Sequence, residues 1–118
     1  MNIVLFANND LSRAKGLMFH RPLLKRECAF FNFPAVGKHA FWNKNVDFPI
    51  SLVFCGKDGT VKDVKTLEAQ QRECVSSENY DIKYVIETHI EAPSLYKIKK
   101  GSIMKLKDKE ILFCDRLS

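Results

Sequence analysis

Short apolar runs with a period of two dominate the chain, each closed by turn-forming residues, and this is the pattern of strands rather than helices. The chain opens on one such run, Asn2-Ile3-Val4-Leu5-Phe6. Residues 28–33 and 40–42 read as two further strands, separated by a turn over 34–37 that Pro34 and Gly37 punctuate. The clearest hairpin joins residues 50–55 to 60–67, because Lys57-Asp58-Gly59 sets a glycine tolerant of positive φ beside a turn-favouring aspartate. Strands return at 102–106 and 110–114, joined by the tight connection Lys107-Asp108-Lys109.

Two segments carry helical spacing instead. Between Asn9 and Met18, Asp10 or Ser12 is placed to cap, Leu11, Ala14, Leu17 and Met18 form a short apolar stripe, and Gly16 weakens the end, which predicts about two turns. Between Glu91 and Ile98, Pro93 near the first turn and Gly101 just beyond bracket a second short helix, with lysines near its negative end. The polar, aperiodic stretch over 68–81 is then the longest connection. Strands in this number must each bury a face within about a hundred residues. The expected fold is mainly β, a compact barrel or sandwich with two short helices, built as a single domain over residues 1–118.

Composition agrees with a globular chain: 118 residues, 46% hydrophobic and 28% charged. No apolar run approaches the roughly 20 residues that span a bilayer, and Met1 leads directly into the first strand without a basic leader. The expectation is a soluble, cytoplasmic protein with no membrane partner. Cys28, Cys55, Cys74 and Cys114 are far apart and lack C-x-x-C spacing, so reduced, buried thiols are expected. The net charge of +5 gathers late, in Lys97, Lys99, Lys100, Lys105, Lys107 and Lys109, with an earlier group of Arg13, Lys15, Arg21, Lys25 and Arg26. Such clusters attract polyanions by counterion release, but they also make a solvated face that guards sheet edges.

The standard constellations of chemistry are missing. There is no phosphate-cradling glycine loop, no H-E-x-x-H, no G-x-S-x-G and no paired-cysteine zinc pattern. No cofactor is therefore expected. His20, His39 and His89 are distant and lack helical spacing, so no metal site is expected either. The unusual stretch is Phe41-Trp42-Asn43-Lys44-Asn45-Val46-Asp47-Phe48-Pro49, where the only tryptophan meets two amides, an ammonium and a carboxylate. Trp42 offers a stacking face, Asn45 can donate and accept, and Lys44 can hold an anion. Equally, Asn45 and Asp47 can bond the backbone of a turn while Trp42 fills the core.

Several of these segments together resemble one family. Gly16-Leu17-Met18-Phe19-His20-Arg21-Pro22-Leu23, then Phe30-Phe31-Asn32-Phe33, Phe41-Trp42-Asn43-Lys44-Asn45, Pro49-Ile50-Ser51-Leu52-Val53-Phe54 and Asp58-Gly59 follow in the order seen in the family called domain of unknown function 192. Lys83-Tyr84-Val85-Ile86-Glu87 and Ile98-Lys99-Lys100-Gly101-Ser102 resemble its closing segments, and the likeness spans roughly residues 7–106. It implies a compact, barrel-like β fold and no stated activity. The chain departs from the family pattern where His20 replaces an arginine, Asn43 a methionine and Ser51 an aspartate. A buried charge pair needs both partners, so the double change predicts that His20 and Ser51 are neighbours under the Trp42 loop.

Three functions follow from these residues. The first is a binding module that holds a small polar or anionic ligand at a mouth edged by His20, Arg21, Trp42, Lys44, Asn45, Asp47 and Ser51. The second is a protein-interaction or nucleic-acid accessory domain that uses Lys97, Lys99, Lys100, Lys105 and Lys107, although stacking aromatics there are limited to Tyr96 and Phe113. The third is a cofactor-independent hydrolase or lyase with His20 as acid or base, or a Ser51-His20 pair oriented by Asp47.

Overall fold

The computed structural model describes residues Met1–Asp115. Seven strands and two helices follow in the order β1 (Asn2–Ala7), α1 (Asp10–Lys15), β2 (Glu27–Gly37), β3 (Ile50–Gly56), β4 (Val61–Leu67), β5 (Ile82–His89), α2 (Ala92–Leu95), β6 (Ile103–Lys107) and β7 (Glu110–Cys114). The strands form one sheet in the order β4-β3-β5-β2-β1-β7-β6. β1 and β2 pair in parallel, with α1 in the crossover, and the other neighbours are antiparallel. The sheet curls until its two ends meet. Thr60 bridges Ile103, Met104 N–H donates to Gly59 O at 2.8 Å, and Val61 N–H donates to Ser102 O at 2.8 Å. The result is a half-barrel, the mainly β architecture that the periodicity predicts.

Successive side chains on a strand point to opposite faces, and here both faces of the central strands are covered. Phe31, Leu52, Phe54 and Val85 join one apolar cluster, while Phe30, Val53, Cys55 and Ile86 join another. Every residue of β3 is buried, which explains why Ile50-Ser51-Leu52-Val53-Phe54-Cys55 is a nearly continuous apolar run rather than an alternating one. The first cluster is roofed by Leu17 after α1 and by Phe41, Val46 and Phe48 from the loop between β2 and β3. The second is closed by Ala92, Ile98, Met104 and Ile111.

Several boundaries differ from the sequence expectation. Residues 34–37 are not a turn but the end of β2, where the register with β5 lapses between Asn32 and Gly37. A proline cannot donate to a ladder, and Pro34 sits where none is required. Residues 40–42 are not a strand, and Phe41 makes a single bridge to Val75 with both N–H···O distances 2.8 Å. α1 is six residues long and is capped by Asn9, whose side chain accepts from Ser12 N–H at 2.8 Å while Ser12 Oγ accepts from Asn9 N–H. The apolar stripe also fails at Leu11, which is 83% exposed. α2 is a single turn. Cys28 and Cys55 are buried as expected, but Cys74 is exposed and Cys114 is half-buried.

Candidate ligand-binding site

A cavity of about 440 Å³ opens between α1, the segment that follows it and the β2–β3 loop, over the first apolar cluster. That volume lies within the usual range for small-molecule sites. Its deep wall carries Leu17, Phe31, Phe33 and Phe41, and the rings meet edge to face: Phe31 and Phe33 each stand at 89° to Phe41. Gly16 at φ 48° lets the chain turn from α1 down to this wall, and a Cβ there would come within 3.3 Å of the Phe31 ring.

The roof is a loop held by amides. Asn43 is buried, and its side-chain Nδ2 donates to Phe48 O at 3.0 Å and to Glu68 O at 2.9 Å, while its backbone N–H donates to Gln71 O at 2.7 Å. Gln70 accepts from Asn45 N–H at 3.1 Å and donates from its side chain to Asp47 Oδ1. Phe19 N–H reaches across to Asn45 O at 2.8 Å. These bonds leave Trp42 at the cavity mouth, 41% exposed, with Lys44 Nζ 5.5 Å from its ring centroid.

Two buried polar side chains line this apolar setting: Asn43, whose amide is committed to the roof, and Glu87. Glu87, on β5, is only 4% exposed and lines the cavity. Its register neighbours are Ala29 on β2 and Leu52 on β3, neither of which can hydrogen-bond it through a side chain. Among the described residues its carboxyl has no hydrogen bond and no ion pair. Burial alone pushes its pKa from the ordinary 4.5 up to about 8, so near neutral pH it is an uncharged acid able both to donate and to accept. The charges at the rim are all positive: Arg13, Lys15 and Lys44. Arg13 is engaged by Asp10 Oδ1 and Asn32 O, both at 2.8 Å, and lies over the Phe33 ring. Cys74 also reaches the cavity edge. Among the described residues no group of three or more His, Cys, Asp or Glu is placed to hold a metal ion, and no helix is long and apolar enough to cross a membrane.

The family model described as DUF192, "Uncharacterized ACR", matches residues 3–106. The chain belongs to the DUF192 family. Solved structures agree on the DUF192 fold. A protein of unknown function from Novosphingobium aromaticivorans DSM 12444 superposes with a TM-score of 0.80 and 22% identity, over 86% of this chain and 72% of that one. A candidate transcription regulator from Sinorhizobium meliloti 1021 superposes with a TM-score of 0.77 and 22% identity, over 81% and 74%. At that identity the likeness concerns the fold. No curated protein matches the chain.

Of the residues singled out in sequence, this DUF192 domain places Trp42 and Lys44 at the cavity. Arg21 is turned to another task, forming a bidentate pair with Glu27 in which both N···O distances are 2.8 Å. Asn45 and Asp47 do hold the loop, but not by side chains bonding the backbone of a turn: Asn45 acts through its own backbone N–H and carbonyl, and the Asp47 carboxylate accepts from the Gln70 side chain. Trp42 does not fill the core. His20 and Ser51 share no hydrogen bond: His20 Nδ1 bonds Arg21 O at 2.7 Å, and the buried Ser51 hydroxyl donates to Ile90 O at 3.0 Å. Neither lines the cavity. Lys97, Lys99, Lys100, Lys105 and Lys107 are exposed and take no part in the cavity lining.

Sequence reasoning misses Glu87 altogether. Its signal is present in Tyr84-Val85-Ile86-Glu87-Thr88, where a carboxylate continues the inward alternation begun by Val85. Asn43 stands out in sequence only as a departure from the family pattern, yet it is the residue on which the roof hangs.

Proposed function

We propose that this domain is a small-molecule binding module whose ligand sits in the cavity beneath α1 and the Trp42 loop. The observation that carries the reading is the unpartnered Glu87 carboxyl, almost wholly buried at an apolar cavity. A buried polar group without a partner is costly, and such groups are rare unless something else satisfies them. A bound ligand with a polar end supplies that partner. The aromatic walls, Trp42 at the mouth and positive charges around it complete the usual make-up of such a site: apolar surface with a few convergent polar groups.

Native mass spectrometry of gently purified protein, beside Trp42→Ala, tests the reading. The expected result is a discrete added mass on the wild type that the variant loses. The same preparation, screened by thermal shift against nucleotides, sugars and aromatic and aliphatic acids, is expected to show stabilisation, since a ligand at a hundredfold its Kd contributes about 2.7 kcal/mol. A clean apo mass together with no stabilisation across the panel overturns it.

A further inference from the structure

We propose that the ligand is an aromatic anion, held with its anionic group between Lys15 and Lys44 at the mouth and an uncharged hydrogen-bond acceptor against Glu87 at the depth. This rests on the reading of the cavity as a ligand site, and it names the class that fits. Three features select it. The deep wall carries the rings of Phe31 and Phe41, with Phe33 beside them stacked on His39 and lying under Arg13, an aromatic lining that suits a planar apolar body. The rim is cationic, and among the described residues Lys15 has no ion-pair partner while Lys44 has only the Trp42 ring. An anion there gains attraction that the protein leaves unused. The only acid lining the cavity, among the described residues, is Glu87.

A cationic end fits neither pole. At the rim it meets Arg13, Lys15 and Lys44, and at depth it would require an ionised carboxylate in an apolar wall. A protonated Glu87 instead donates its O–H to a carbonyl or ether oxygen, which satisfies the buried group without charge. Affinity is therefore coupled to the Glu87 proton. As pH rises through about 8 the carboxyl ionises, loses its donor and repels the acceptor, and binding weakens. The other titratable or charged groups facing this cavity are Arg13 and Lys15 from the α1 side, Lys44 from the β2–β3 loop and Cys74 from the β4–β5 loop, while the flanking strands present Ala29 and Leu52 to Glu87.

The test is calorimetric titration of the full chain with three matched probes: 6-methoxy-2-naphthoate, 2-naphthoate and the aminomethyl analogue of the first. The methoxynaphthoate is expected to bind about tenfold tighter than the amine and severalfold tighter than the naphthoate that lacks the ether. Its affinity is expected to fall about tenfold between about pH 6.5 and 9, a range in which its carboxylate stays ionised. Glu87→Gln keeps a neutral donor, so it retains binding and flattens this pH profile, whereas Glu87→Leu loses the preference for the ether. A tighter amine, or a pH profile unchanged in Glu87→Gln, overturns the proposal. If none of the probes binds while native mass spectrometry still shows a small molecule lost in Trp42→Ala, the ligand class is wrong and the binding reading survives. If both fail, the binding reading fails with it.

Discussion

Phe19 and Asn45, both at φ 61°, are joined by a 2.8 Å bond from the Phe19 N–H to the Asn45 carbonyl, and this bond fastens the segment after α1 to the loop opposite. The two walls of the cavity thus meet at a pair of left-handed residues. Asparagine tolerates that conformation better than most side chains, and a β-branched residue does not. Asn45→Gly is expected to leave stability within about 0.5 kcal/mol, and Asn45→Val to lower it by about 1–2 kcal/mol in urea denaturation.

Glu87 is expected to make stability fall with rising pH. Its pKa is near 4.5 unfolded and about 8 folded, so between those values the native state retains a proton that the unfolded chain releases. The contribution is full below about pH 4.5 and is lost progressively up to about pH 8, by an amount on the order of 5 kcal/mol. Glu87→Gln is expected to match the wild type at about pH 4.5 and to exceed it at about pH 8.5. Denaturation at the two pH values measures the difference.

Glu27 titrates in the opposite sense. Its hydrogen bonds with Arg21, and then the Leu24 N–H, hold its pKa down at about 2. The stabilisation is present above the unfolded value of 4.5 and is lost as pH falls toward 2. Arg21 is half-exposed, which discounts the gain to about 2 kcal/mol. Glu27→Gln is expected to cost that amount at neutral pH, with the gap to the wild type closing in acid titration followed by circular dichroism.

Gly59 and Gly101 offer a matched comparison. Both have positive φ, 87° and 91°, but a Cβ on Gly59 would stand 2.5 Å from the Met104 carbonyl oxygen, whereas a Cβ on Gly101 meets nothing within 4 Å. Gly101→Ala is expected to cost about 1 kcal/mol from backbone strain. Gly59→Ala is expected to cost about 3 kcal/mol or more, because it also displaces the contact that closes the half-barrel. Urea denaturation of the two variants side by side measures the gap.

Thiol reactivity separates the cysteines. Burial pushes the Cys28 and Cys55 thiols up to about 12, while Cys74 is exposed at the cavity edge. An aromatic disulfide reagent is expected to label Cys74 rapidly in the native protein and to reach Cys28 and Cys55 only on unfolding. Cys74→Ser is expected to abolish the fast phase.

The strands that adjoin a clear turn signal are legible because that signal is local, whereas β5 (Ile82–His89), which lies between β3 and β2, is not read as a strand from the sequence. The Asp58-Gly59 turn sits where the sequence places it, and Asp108 at φ 56° makes the last tight connection. Residues 34–37 mislead because Pro34 and Gly37 signal a break in pairing, which can end a ladder without ending the strand. Trp42 and Lys44 stand out in the sequence as a tryptophan and an ammonium on a polar connection, and the structure sets both at the cavity. Arg21 is not, because its partner Glu27 is chosen by the path of the chain after α1.

The sequence by itself determined the mainly β class, the family, the β3–β4 hairpin and the loop that carries Trp42, since each depends on spacing, motifs and turn chemistry that are local in the chain. Only the tertiary structure decided the cavity and its chemistry. Lys15, Trp42 and Glu87 come from separate stretches of chain and meet because β5 is threaded between β3 and β2 on the face that α1 and the loop cover. A carboxyl in a strand reads as solvent-facing until both faces of the sheet are known to be covered, and it is that cover, by raising its pKa, that keeps the Glu87 carboxyl uncharged near neutral pH.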